Sequence, residues 1–156
     1  MDSGIITKYA TGMAKSTLFY GISIKDLEDL AAQGKVLNVE ANSNAITEGE
    51  LVSGLHVLVE GTVKIVKKGK TIVANLEEGS FFGEITLFGQ TITGTATVST
   101  DSGCVILVFT RRQLEQWFQK QPYVEVAFFR NIATELCNRL VSTTEQLTAA
   151  LTASLN

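Results

Sequence analysis

Five glycines divide the middle of this chain at a nearly fixed interval. Gly49, Gly61, Gly69, Gly79 and Gly89 stand 12, 8, 10 and 10 residues apart, and short runs rich in β-branched residues fill Val36 to Phe109 around them. Turn signals about every 8–12 residues leave room for strands but not for helices of ordinary length, so the spacing predicts a β-sandwich or barrel. Within it, Leu55–Val59 and Thr62–Val66 flank Glu60 and Gly61, which reads as a hairpin. Val63 and Ile65 then point one way and Lys64 the other, giving that strand one wet face. Lys67, Lys68, Gly69 and Lys70 read as a second, solvated hairpin tip. Cys104–Phe109 is the longest uninterrupted apolar run, six residues, and reads as a strand buried on both faces. It is far short of the ~20 residues that span a bilayer.

The flanks follow a different period. Ser23, with Asp26 three residues on, caps a predicted helix carrying Leu27, Leu30 and Ala31 on one face, and Gly34 closes it. Leu18 and Phe19 anchor the chain just upstream. Residues 1–16 show no clear period and read either as a short helix or as a mobile arm. After the strands, Thr110 caps a helix through Leu114, Trp117 and Phe118, which Pro122 interrupts. Residues 123–156 contain neither Gly nor Pro. One long helix is expected there, about 50 Å if continuous at ~1.5 Å per residue. Phe129, Ile132, Leu136, Leu140, Leu147, Leu151 and Leu155 form a single stripe along it, and beyond Leu140 the only charged residue is Glu145. A leucine seam projecting from a small domain suits pairing with its own copy. The stripe therefore predicts a parallel homodimer; the alternative is a helix folded back on the β-body or frayed at its end. The expected organisation is an N-terminal arm or short helix (1–16), a β-roll with flanking helices (17–121) and a long C-terminal helix (122–156).

Composition narrows the function. With 156 residues, 45% of them hydrophobic, and a net charge of −3, the chain fits one domain with a real core rather than a disordered segment. A pI near 5.2 and the lack of a Lys/Arg-rich run argue against a general nucleic-acid binder. One His and two Cys cannot build a multi-ligand transition-metal site, and no CxxC pair suggests zinc or thiol redox chemistry. With His56 as the sole imidazole base, no Ser/His/Asp or Cys/His set comes together, and Glu84 in a Gly turn reads as a hydrogen-bond acceptor; neither an enzyme nor a cofactor is expected. The N-terminus lacks a secretory core, and Cys104 and Cys137 read as buried free thiols, so a cytoplasmic protein is expected.

The segment Gly79–Phe88 carries the chemistry. A strand ends at Phe81 and Phe82, Gly83 permits close backbone approach, and Glu84–Leu87 can form one helical turn whose first N–H groups lack internal partners. Glu84 is an acceptor suited to a ribose hydroxyl. The order of elements around it is helix, Gly-punctuated roll, Phe-Gly-Glu turn, Thr95–Val98, buried strand, short helix and long Leu-rich helix. That order resembles the cyclic-nucleotide-binding domain family, in particular the ligand-binding half of bacterial catabolite activators, over roughly residues 17–150. Glu48–Glu50, Val59–Val63 and Phe81–Leu87 look like its recurring strand and turn motifs. The resemblance implies a mainly β fold with flanking helices: a double-stranded β-helix (jelly roll) with a long C-terminal dimerisation helix.

It also implies a ligand site. Phe82, Gly83, Glu84, Ile85, Thr86, Gly94, Thr95 and Ala96 fall on the family's phosphate-binding cassette, in which turn amides meet the cyclic phosphate and the Glu takes the ribose 2′-hydroxyl. Where the family has an Arg that pairs with the phosphate, this chain has Gly94, and no Arg or Lys occurs between Lys70 and Arg111. Removing one partner of a buried charge pair commonly costs about 2–5 kcal/mol, and 3–4 kcal/mol is roughly 150- to 1000-fold in affinity. Arg111 or Arg112 would have to swing in from the next helix to compensate. Further along, Leu140–Leu147 resembles the stretch where a Thr-Ser pair meets the purine at the dimer seam, here Thr143 and Thr144; the alternative is plain helical Thr. His56 would be the axial ligand in a haem-binding relative, but it reads as a strand residue facing solvent or a hydrogen-bond partner.

The resulting expectation is a non-enzymatic regulatory module that binds cAMP or cGMP weakly, or another nucleotide-like ligand, between roll and C-terminal helix. Thr95 is of the type found in cGMP-preferring relatives. The alternative is a ligand-free dimerisation or protein-docking scaffold. The sequence stops at Asn156 with no basic recognition helix, so DNA binding by this chain alone is not expected, an objection that lapses for a piece of a longer regulator.

Overall fold

In the computed structural model, which describes residues 1–89 and 92–156, the glycine-punctuated middle forms ten short strands. They are β1 (Lys35–Val39), β2 (Ser43–Ile46), β3 (Leu51–Val52), β4 (Leu55–Gly61), β5 (Val63–Lys67), β6 (Thr71–Leu76), β7 (Phe81–Phe82), β8 (Ile92–Thr93), β9 (Thr97–Thr100) and β10 (Cys104–Phe109). The helices are α1 (Ser3–Ala14), α2 (Ile24–Ala31), α3 (Arg111–Lys120) and α4 (Pro122–Leu155), with 3₁₀ turns at Thr17–Phe19 and Glu84–Phe88. One sheet runs β1-β10-β4-β7, the facing sheet β2-β9-β5-β6, and β3 pairs with β8; the pairs are antiparallel.

Alternation along the central strands makes two cores. Leu55, Val57 and Val59 of β4, with Leu107 and Phe109 of β10, face the helices and pack with Leu18, Phe19, Trp117 and Phe128. Leu58 and Ile106 face the other way, into the space between the sheets, with Val63 and Val98. The run Cys104–Phe109 is thus covered on both faces.

The helix signals act as expected. Ser23 Oγ accepts from the Asp26 N–H at 3.2 Å, and Thr110 with Gln113 forms a reciprocal capping box at the start of α3. The Asp26 carboxylate accepts from Ser23 Oγ at 2.6 Å and from the Tyr123 hydroxyl, and its backbone carbonyl accepts from Trp117 Nε1 at 3.0 Å, tying α2, α3 and the start of α4 together. Those two hydroxyls hold the Asp26 carboxyl below its usual pKa. Pro122 occupies the first turn of α4, where its missing N–H has no helical partner to lose.

Two expectations are corrected here, and one open alternative is decided. Glu60 and Gly61 are not a hairpin: β4 pairs with β10 and β7, whereas β5 pairs with β6 and β9 in the other sheet. Gly61 is the corner where the chain changes sheets. Its φ is 85°, and a Cβ there would lie 2.6 Å from the Gly103 carbonyl oxygen, so only glycine fits. The true hairpin tip is at Lys67–Lys70, with positive φ at Lys68 and Gly69. Of the two readings of residues 1–16, the helix is the one formed, over Ser3–Ala14: Tyr9, Ala10 and Met13 are buried, and a Cβ on Gly12 would meet the Val59 carbonyl at 2.6 Å. Finally, Cys104 is buried, which pushes its thiol pKa up, but Cys137 is exposed on α4. Among the described residues no helix is long and apolar enough to cross a membrane.

Candidate functional site

β7 delivers the chain to Gly83, whose φ of 77° starts the turn Glu84–Phe88. A Cβ at Gly83 would stand 2.5 Å from the Gly54 carbonyl oxygen, so the close approach expected of this glycine is real. Thr86 locks the turn, its Oγ1 donating to the Gly83 carbonyl at 2.7 Å. Leu87 is buried beneath, while Ile85 is half exposed.

Glu84 does not stand free. Arg139 of α4 reaches across, its Nη1 donating to Glu84 Oε1 at 3.2 Å and its Nη2 to the Phe81 carbonyl at 3.2 Å. The guanidinium carbon lies 4.5 Å from the Phe81 ring centroid, a cation–π distance. Arg139 Nε also donates to Glu135 Oε1 at 3.3 Å, and Glu135 in turn accepts from Thr17 Oγ1 at 3.3 Å. One guanidinium therefore bridges β7, the turn and α4.

Beside this bridge a cleft of about 530 Å³ opens between the roll and α4, lined by Ile65, Leu76, Ser80, Phe82, Glu135 and Arg139 among others. Lys15 and Glu78, which form an ion pair, border it. Its size suits a small organic ligand. Its charge does not suit an anion: Lys15 and Arg139 face Glu77, Glu78 and Glu135 on the walls and Glu84 at the end, two cations against four carboxylates.

The expected site residues separate into groups. Phe82, Gly83 and Glu84 come together with the cleft and Arg139. Gly94 is held in the backbone, its N–H donating to the Glu50 carbonyl at 2.7 Å and its carbonyl accepting from the Gly49 N–H at 2.9 Å. Thr95 is exposed and Ala96 half-buried, and neither lines the cleft. Thr143 and Thr144 lie on the exposed distal part of α4, also off the cleft walls. Arg111 is ion-paired with Glu115, its Nη1 3.7 Å from where a Cβ on Gly89 would be, at the far end of the turn from Glu84.

Two residues read as dimer seam fall elsewhere, whereas His56 has the hydrogen-bond partner that one of its two readings expected. Ile132, read as part of the dimer seam, is 2% exposed in the protomer's own core, and Leu136 packs partly against that core. His56 is buried in β4, its Nδ1 3.1 Å from the Gly54 carbonyl and its ring stacked on Phe82 at 5.1 Å; burial pushes its pKa below the ordinary histidine value. Arg139 was missed altogether. Its signal was available in the spacing of Val124, Phe128, Ile132, Glu135 and Arg139, steps of four, four, three and four that mark a second helix face, the one turned to the roll.

A two-sheet roll with a Gly-Glu turn facing a long C-terminal helix defines the class of fold, and the sequence comparisons agree with it. Residues 36–121 match the family described as Cyclic nucleotide-binding domain. The chain belongs to the cyclic nucleotide-binding domain family. It is 31% identical over 112 residues to the cAMP-activated global transcriptional regulator CRP of Haemophilus influenzae, covering 69% of this chain and 48% of that protein. The chain thus spans about half the length of the curated relatives it matches. Among solved structures, a cyclic nucleotide-binding domain from Methylobacillus flagellatus aligns with a TM-score of 0.74 at 18% identity, over 92% of this chain and 83% of that one. The N-terminal domain of a transcriptional regulator from Streptomyces coelicolor aligns with a TM-score of 0.71 at 22% identity, over 82% and 94%.

Proposed function

We propose that this chain is a non-enzymatic regulatory module that takes a cyclic nucleotide, or a nucleotide-like ligand, weakly in the cleft between roll and α4. The observation that carries this reading is the Arg139 bridge. The turn that meets the ligand's ribose and phosphate in the family is tied, through Glu84 and Phe81, to the helix that would carry the signal away. A ribose hydroxyl that engages Glu84 competes with Arg139, so binding and release of α4 are linked.

Weak binding follows from charge. With Gly94 in place of the family's Arg, a cyclic phosphate enters a cleft whose cations are outnumbered and already paired. The outward stripe of α4 is the seam of a parallel homodimer in this reading, formed by Phe129, Leu140, Leu147 and Leu151, with Ile132 left out.

A second reading, a ligand-free dimerisation or docking scaffold, is favoured by the same bridge, because Glu84 is already satisfied without ligand. The two separate in one NMR titration. Millimolar cAMP or cGMP moves the amide resonances of Gly83, Glu84 and Thr95 and the Arg139 Nε resonance if the module binds nucleotide. Spectra unchanged by either nucleotide support the scaffold and overturn the sensor.

A further inference from the structure

The inner face of the first sheet ends in a row of which the cleft uses only Phe82. Lys35 pairs with Val108, Val108 with His56, and His56 with Phe82, so the four side chains share one face across all four strands. At the usual strand spacing, Lys35 and His56 are about 10 Å apart across this row. A cavity of about 290 Å³ lies over it, walled on the opposite side by Ala45 and Ile46 of β2 and by Leu51 and Val52 of β3.

Lys35, Glu50, Ser53, Thr110 and Gln113 also line this cavity, but His56 is the buried polar side chain among them. It is 7% exposed. The Gly54 carbonyl, 3.1 Å from Nδ1, can only accept, so Nδ1 carries the proton and Nε2 is left as a bare acceptor. Among the described residues no donor reaches Nε2, yet no fully buried side-chain nitrogen or oxygen lacks a partner. Nε2 is therefore not fully enclosed, and His56 lines the cavity. At the rim, Lys35 and Glu50 bring opposite charges, and Glu50 already accepts from the Thr47 N–H at 3.2 Å, so the cavity has no net preference for an ion.

We infer that this inter-sheet cavity is a second ligand site, for a small, uncharged and mostly apolar molecule that donates one hydroxyl hydrogen bond to His56 Nε2. Its lining shares no residue with that of the cleft, but His56 adjoins Gly83 at the start of the same turn. A Cβ on Gly83 would lie 3.2 Å from His56 Nδ1, and His56 stacks on Phe82, so occupancy bears on the residues that lead into Glu84.

Phenol is the probe, with fluorobenzene as the partner of similar shape that lacks the donor. Titrated into the full chain with ¹⁵N-labelled histidine, phenol shifts the His56 Nε2 resonance and the Gly83 amide. It binds at least about fivefold more tightly than fluorobenzene, the value of one net hydrogen bond. His56→Phe keeps the stack on Phe82 and removes that preference. Arg139→Ala, on the cleft side, leaves phenol binding unchanged. Equal binding of the two probes to the native chain overturns the site, as does loss of phenol binding in Arg139→Ala, which puts the compound in the cleft instead.

Discussion

The two halves of α4 have opposite surroundings. From Pro122 to Arg139 the helix has two apolar faces. Val124, Phe128 and Ile132 are at most 2% exposed against the body, while Val126 and Phe129 look outward. From Leu140 onward only the outward face continues: Leu140, Leu147, Leu151 and Leu155 are 57–87% exposed, and nothing in the protomer covers them. At 3.6 residues per turn, Val126, Phe129, Leu140, Leu147, Leu151 and Leu155 fall on one side of the helix, roughly a third of a turn around from Phe128 and Arg139. The near half packs on the roll and touches the Glu84–Phe88 turn; the far half is the dimer seam in the proposed reading. Arg139 marks the boundary between them.

The largest effect that tests this contrast comes from the near half. Phe128→Ala removes a fully buried ring and lowers unfolding stability by about 3–5 kcal/mol, read by denaturant melts. Leu151→Ala, the same kind of truncation on the far half, changes the stability of the dilute monomer by no more than about 0.5 kcal/mol. Comparable losses from the two variants erase the distinction.

The double variant Leu147→Glu with Leu151→Glu acts on association instead. Charges placed in an apolar seam convert the dimer to monomer in sedimentation velocity while the melt of the roll is kept. A native chain that sediments as a monomer at every accessible concentration removes the seam.

Arg139→Ala sharpens the boundary. The side chain is 41% exposed, so screening keeps its stability effect near ~1 kcal/mol. Its visible result is faster amide exchange in Glu84–Phe88, because the turn loses its tie to α4.

The smallest effect is in pH. The pKa of His56 is depressed in the fold, so the folded protein takes up its proton less readily than the unfolded chain. Its contribution is whole above about 6.5, the unfolded value, and is lost as pH falls through the lower folded value. His56→Phe flattens that slope; the loss at lower pH, where Asp26 takes up its proton, remains.

What the sequence made legible follows from what periodicity can encode. Caps at Ser23 and Thr110 are local chemistry, and both stand where their hydroxyls predicted. The Gly-Glu turn was legible because Gly83 meets a backbone constraint that only glycine satisfies. The corner at Gly61 was not, because a glycine between two strands looks the same whether the chain folds back or crosses to another sheet; only the partner at Gly103 tells them apart. Ile132 was assigned to the seam because its spacing fits two faces of one helix, and the phase that separates them is fixed by what the roll presents. The exposure of Cys137 was lost in the same way. Arg139 was hidden because the first cations after the cassette in sequence are Arg111 and Arg112, whereas the fold brings one in from 55 residues beyond Glu84.

The central claim is that the cleft lacks a cation free to balance a cyclic phosphate. Calorimetric titration of cAMP into the native chain and into Gly94→Arg tests it directly. A Cβ at this position meets Ile46 Cγ2 at 3.1 Å, a contact that a small shift of the methyl relieves. The account predicts that Gly94→Arg binds roughly 150- to 1000-fold more tightly than the native chain. Sub-micromolar binding by the native chain, with no gain from the arginine, contradicts it.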